Sequence, residues 1–533
     1  MGDKVKALSS WWIVTLLSVA GFAASSSDLQ LVEAVKKGNK EAVRSLLKQH
    51  VDVNASEADG ATALTWSAYR DDLDTADLLL GAGANVNAAN DYGIGALSLA
   101  CTNGSAAMVG KLLQAGANPN AAKGSGETAL MTCAHTGDVD TVKLLLTHGA
   151  DVNAKETRRG QTALMWAAAE KHPEAVRALI EHGAEVQARS KNGFTPLLFS
   201  AQQGDLESAR ILLAAGANVN AVMPDGMTPL LMASADGYEA LSIFLLEKGA
   251  DPNAADKNGT TALHYAVYRA VPSVSLFKLL NNSRKSYFFR PNMPELVKAL
   301  LARGANPNAR LVDSPKLPTA EWPRLSLIGA TPFWLAAAAA DVSIMRILAS
   351  NGADPLATTE GNVTPLMMAA GQGRAYGDRM KAEWEYSSSC NPGETLEDCA
   401  LRVTGNGLEA VKLAVELGAD VNATNLAGET ALHIAAGLGE NSIIQFLVDK
   451  GAKLDLKNMY GWTPLNIAEA VLPGGRLPDG AVSDAKGNKY YVLMPYSPNK
   501  ATADLLLKLG ATPLTDAKPR RSTDNEVPAK AGQ

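Results

Sequence analysis

The chain has 533 residues, 47% of them apolar but only 5% aromatic, and a net charge of -6. A core built mainly from Ala, Leu and Val calls for helices packed closely through small side chains. The mild, spread-out acidity leaves no basic stripe, which argues against nucleic acid and against an anionic membrane surface as the main partner.

In chain order, Lys4 and Lys6 precede an apolar run from Trp11 to Ala20, followed by the small residues Gly21, Ala23 and Ala24. This predicts a secretory signal peptide over 1–23, because cleavage after Ala23 leaves Gly21 and Ala23 at the two positions that must be small. An uncleaved anchor is the weaker reading, since the run is shorter than the roughly 20 residues of a spanning helix. The first cysteine is Cys101, so the lipid-attachment site of a bacterial lipoprotein is missing. The expected product is periplasmic or secreted, with no membrane insertion after cleavage.

Residues 24–57 contain two amphipathic stretches in DLQLVEAVKKGNKEAVRSLLKQHVDVNA, with Lys and Glu to face water, and are expected to form an N-terminal cap. Over 58–512 a threonine, once a glycine, recurs before a PL or AL step, or PF at Thr331, at Thr62, Gly95, Thr128, Thr162, Thr195, Thr228, Thr261, Thr331, Thr364, Thr430 and Thr463. Most intervals are 33 residues; one is 34, and those of 66 and 70 span two periods. Such a threonine can cap a helix whose Leu and Ala recur at three- and four-residue spacing. A second amphipathic run then ends at a glycine, as at Gly83, Gly116 and Gly149, where a left-handed residue stops a helix. Turn residues such as Asn85 with Asn87, and Lys191-Asn192-Gly193, predict a hairpin next.

Units such as DGATALTWSAYRDDLDTADLLLGAGANVNA closely resemble the ankyrin repeat, over about residues 28–512. The resemblance implies an all-α repeat fold: an ankyrin solenoid of about twelve helix-turn-helix/β-hairpin units, counting the cap, as in an exported bacterial ankyrin-repeat protein. No single unit buries its apolar face, so neighbours stack into a quasi-one-dimensional core.

Insertions fall near 270–292, 374–403 and 471–499, each between the paired helices of alternate units, and a fourth departure near 310–327 lengthens a hairpin. The second holds Cys390 and Cys399 around Asn391-Pro392-Gly393, and export makes a disulfide between them the leading expectation. Closing so short a loop is worth about 2 to 3 kcal/mol. In the third, Gly487-Asn488 before Tyr490 suggests a small hairpin. Cys101 and Cys133 replace alanines of adjacent first helices and read as buried apolar residues. The tail over 513–533 lacks large apolar residues beyond Val527 and reads as disordered.

The sequence has no HExxH, CxxC or CxxCH, and GQGRAYG at 371–377 misses a dinucleotide-binding spacing. His264 and His433 stand in TALHYA and TALHIA steps, where the resemblance implies structural hydrogen bonds. The expectation is a non-catalytic chain with no cofactor and no metal site. In ankyrin domains the partner lies against the hairpin tips and the exposed face of the first helices. There the varying residues are Tyr69, Arg70, Tyr92, Ile94, Phe194, Met227, Tyr268, Arg269, Tyr460 and Trp462, rich in the aromatic and Arg types that make hot spots. The leading reading is a monomeric scaffold binding one or more proteins outside the cytoplasm. The alternatives are an enzyme or carbohydrate-binding activity built from the insertions, and a purely structural envelope protein.

Overall fold

The recurring threonine works as the sequence predicts. The Thr62 hydroxyl accepts from the Thr65 N–H at 3.3 Å, and Thr128, Thr162, Thr195, Thr228, Thr331, Thr364, Thr430 and Thr463 cap their helices in the same way. Six of the second helices start on Asp72, Ser105, Asp138, Asp205, Asp341 or Asn499, each satisfying a backbone N–H of the first turn, whereas those that start on His172, Tyr238 and Glu440 have no such side-chain bond.

The computed structural model describes residues 29–270, 293–313, 327–372, 407–470, 482–483, 489–490 and 498–513. The chain forms two compact units, Met1–Met223 and Pro224–Gln533. In the first, the capping pair α1 (Gln30–Lys36) and α2 (Lys40–Lys48) is followed by α3 (Ala63–Tyr69), α4 (Leu73–Gly81), α5 (Ala96–Asn103), α6 (Ala106–Gln114), α7 (Ala129–Thr136), α8 (Val139–Thr147), α9 (Ala163–Ala169), α10 (Pro173–Glu181), α11 (Pro196–Gln203) and α12 (Leu206–Ala214). The odd-numbered helices pack on one another as an inner row and the even-numbered ones as an outer row. Leu64, Leu97, Leu130, Leu164 and Leu197 recur at one position of the inner row and are all buried, worth about 2 kcal/mol each.

The second unit pairs α13 (Pro229–Ala235) with α14 (Glu239–Glu247), α15 (Ala262–Ala270) with α16 (Met293–Ala302), and α17 (Pro332–Ala338) with α18 (Val342–Ser350). The short α19 (Pro365–Met367) widens into a turn over Met368–Gln372, which packs on α20 (Gly407–Glu416). Then come α21 (Ala431–Leu438) with α22 (Asn441–Asp449), and α23 (Pro464–Glu469) with α24 (Lys500–Lys508). Between α23 and α24, β1 (Val482–Ser483) pairs antiparallel with β2 (Lys489–Tyr490); Gly487 and Asn488 lie outside the described residues. Residues 1–28, the pair Cys390 and Cys399, and the tail beyond 513 lie outside the described residues.

An asparagine ladder joins successive units. The Asn87 carboxamide accepts from the Asn118 N–H at 2.7 Å and donates to the Gly116 carbonyl at 3.2 Å. Asn54, Asn120 and Asn153 repeat this in the first unit, and Asn253, Asn308 and Asn422 in the second. Replacing Asn87 by Ala is expected to cost about 1 kcal/mol, the net worth of exposed hydrogen bonds of this kind, read as a lower denaturation midpoint of the first unit. An unchanged midpoint contradicts this role.

One expectation is corrected. Cys101 on α5 and Cys133 on α7 are buried, as expected of apolar core residues, but they are joined by a disulfide across a Cα separation of 4.8 Å. The cause lies in the stacking: neighbouring units place Ala68 with Ala100, and Ala134 with Ala167, at the corresponding positions. These small buried residues let inner helices approach closely, and two cysteines in that row come within bonding reach.

Candidate functional site

Each unit sends a hairpin away from its helices, and in the first unit backbone hydrogen bonds tie the hairpin tips edge to edge. The Asp91 N–H donates to the Asp59 carbonyl at 2.8 Å, Gly124 to Tyr92 at 3.2 Å, Thr157 to Ser125 at 2.8 Å and Lys191 to Arg159 at 2.8 Å. Gly93 makes one of these approaches possible: its φ is +74°, and a Cβ there would sit 2.9 Å from the Lys123 Cα. The tips are thus a preorganised edge, fixed by main-chain geometry.

Within each tip a polar side chain turns inward and holds the loop. Asn90 accepts from the N–H groups of Tyr92 and Ile94. Glu156, 6% exposed, accepts from the N–H groups of Arg158, Arg159 and Gln161 at 2.6, 2.7 and 3.0 Å. Burial pulls its carboxyl up, but these three bonds together with the charge of Lys191 outweigh burial and hold it below the usual range.

The candidate binding residues fall into different settings. Tyr92 projects from its tip at 55% exposure, and Tyr69 at the end of α3 is 39% exposed. The Tyr69 ring stands edge-on to Trp66 at 5.6 Å, and Trp66 is itself fixed by its indole N–H on Glu57 at 2.7 Å with Lys36 Nζ over the ring. Arg70 is exposed but reaches back to the Lys36 carbonyl at 3.0 Å, closing the end of the preceding inner helix. Ile94 and Met227 are half-buried. Phe194, also half-buried, stacks on the buried Phe199 at 4.9 Å. The side chains of Tyr268 and Arg269 lie outside the described residues.

Trp462 requires a correction: it is 2% exposed. It stacks against the half-buried Tyr460 at 4.9 Å, and its carbonyl takes the His433 Nε2–H at 3.1 Å. Its buried ring and its carbonyl's bond to His433 of the preceding repeat show that Trp462 serves the core. Repeat patterning alone passes over Trp66, His135 and Trp166, which share the inner-row face of the first unit, with His135 edge-on to Trp166 at 5.6 Å. A signal for them exists, because Trp66 and Trp166 occupy the same repeat position, four residues after the capping threonine.

His264 and His433 hold the entrances of α15 and α21. In each, Nδ1 accepts from the capping threonine's N–H, at 3.2 Å from Thr261 and 3.1 Å from Thr430, while Nε2–H points at a carbonyl of the next unit, Ala330 or Trp462. Burial pulls both rings down to about 4. A neutral imidazole with its proton on Nε2 satisfies every partner, whereas the charged form would set two donors face to face.

Among known proteins, the family model for three copies of the ankyrin repeat matches residues 31–123, 97–190, 130–223, 197–284 and 398–471, more than half of the chain. A single-repeat model matches 328–360. The mouse (Mus musculus) B-cell lymphoma 3 protein homolog is 41% identical over 68 residues, 13% of this chain and 15% of that protein. Human (Homo sapiens) protein phosphatase 1 regulatory subunit 27 is 39% identical over 67 residues, 13% of this chain and 44% of that protein. Serine/threonine-protein kinase 12 of Arabidopsis thaliana is 35% identical over 57 residues, 11% of this chain and 12% of that protein. The chain therefore spans less than half the length of each of these relatives.

Proposed function

The chain belongs to the ankyrin-repeat family, whose repeats mediate protein–protein interaction, and from that premise we propose that it is a monomeric, non-catalytic scaffold that binds a protein partner outside the cytoplasm. The observation that carries the reading is the pair of exposed aromatics Tyr69 and Tyr92 on the first unit, one propped by a fixed Trp66 and the other on a hydrogen-bonded hairpin edge. Aromatic rings held in place lose little entropy on binding and make effective anchors. One matched relative is named as a regulatory subunit, which suits a chain that acts by holding another protein. Export is supported by the layout of residues 1–24 and by the Cys101–Cys133 bond, since disulfides persist in oxidising compartments.

The test is capture of a partner from envelope extract on the immobilised full-length protein, followed by affinity measurement with that partner. The Tyr69→Ala, Tyr92→Ala double variant is expected to bind at least about tenfold more weakly, with an unchanged thermal transition. Undiminished affinity would remove this surface from the proposal.

A further inference from the structure

The hairpin edge of the first unit is electrically graded. Its first two tips carry Asp59 and Asp91, the third carries Gly124 and Ser125, and the last two carry Arg158, Arg159 and Lys191. The gradient has a structural origin. The single 34-residue interval, from Thr128 to Thr162, adds one residue to the fourth hairpin, which makes room for both arginines at its tip. The only acid of that tip, Glu156, is turned inward, where its oxygens accept from three backbone N–H groups and its charge is felt by Lys191. Lys155, Arg158 and Arg159 are exposed and form no ion pair among the described residues. On the next hairpin Arg189 is pinned to the Gly193 and Val222 carbonyls at 3.1 and 3.0 Å, and Lys191 Nζ to the Thr157 carbonyl at 2.5 Å. Lys155, Arg158, Arg159, Arg189 and Lys191 are therefore carried on two adjacent hairpins.

We propose that this edge binds a short acidic segment of a protein partner, with its Asp or Glu carboxylates on the guanidinium groups of Arg158 and Arg159. Planar guanidinium pairs suit bidentate carboxylate contacts. Packed helix layers are about 10 Å apart, so the basic end lies about 20 Å from Asp91. A run of a few carboxylates fits that space. A long, uniform polyanion such as nucleic acid extends past it and meets Asp91 and Asp59, which repel it. The inference rests on the scaffold reading and names the chemistry of its partner.

The experiment uses full-length protein and a fluorescently labelled peptide with four consecutive glutamates in a Gly/Ser background, against the same peptide with glutamines. Anisotropy is expected to show binding of the glutamate peptide only, weakening as salt rises. R158E/R159E should lose at least tenfold in affinity and R158Q/R159Q somewhat less, both with the wild-type circular dichroism and melting curve. D59K/D91K should leave the short peptide unchanged but strengthen binding of a 20-residue polyglutamate. Equal binding of the glutamate and glutamine peptides, indifference to R158E/R159E, or tighter binding of single-stranded DNA than of the glutamate peptide would each overturn the proposal. If the glutamate peptide fails while partner capture still depends on Tyr69 and Tyr92, this inference falls and the scaffold reading stands.

Discussion

Lowering the pH from 7 to 4 is expected to destabilise the Pro224–Gln533 unit by about 3 kcal/mol for each of His264 and His433, about 6 kcal/mol together, with roughly 1.4 kcal/mol per pK unit and site. Both rings are buried and drawn down from 6.5 to about 4. Between those values the unfolded chain takes up a proton that the folded unit refuses. Stability is therefore full above 6.5 and falls as the pH drops through the window, levelling off below about 4. Asp341, whose carboxyl burial pushes up, works in the opposite sense at the acid end. The measurement is denaturant unfolding of the second unit at a series of pH values. Asn466 supplies the control, since at the same repeat position its carboxamide oxygen accepts from the Thr463 N–H at 2.8 Å. The double variant His264→Asn, His433→Asn should keep the cap and lose most of this slope. The first unit has Met131, Met165 and Leu198 at the corresponding positions, so it should not share this histidine slope. A second unit equally stable at pH 5 and pH 7 would refute the buried-imidazole account.

The second large effect concerns the bond between Cys101 and Cys133, which are 32 residues apart in sequence. Closing a loop of that size removes chain entropy from the unfolded state worth about 3 to 4 kcal/mol. The paired variant Cys101→Ala, Cys133→Ala should lose about this amount from the first unit and little from the second. Packing should survive, because alanine already occupies the corresponding positions at Ala68, Ala100, Ala134 and Ala167. Amide hydrogen exchange should quicken in α5 and α7, the two helices that the bond joins. Thiol alkylation under denaturing, non-reducing conditions checks the premise, and free thiols at both positions in protein from an oxidising compartment would remove it.

The surface candidates were legible to different degrees. Tyr69 and Tyr92 are exposed as their repeat positions suggest, because a helix end and a hairpin tip are solvent-facing wherever the unit sits in the stack. Trp462 occupies a comparable turn position but is buried, against Tyr460 and with its carbonyl on His433 of the preceding repeat. The basic end of the hairpin edge was hidden in a different way. Counting charges pairs Glu156 with Arg158 and Arg159, and only the loop conformation shows its carboxylate buried on backbone N–H groups with both guanidinium groups left to solvent.

By itself the sequence determined the period, the helix starts and the hairpin positions. All of these depend on residues within a few positions of one another. Tertiary structure decided the Cys101–Cys133 bond, the burial of Trp462 and the inward turn of Glu156. The first two depend on how one unit meets the next, roughly 30 residues away, where stacking sets which side chains share a layer. The last depends on a loop one residue longer than its neighbours, whose extra length lets the backbone close around a carboxylate and leave its arginines to solvent.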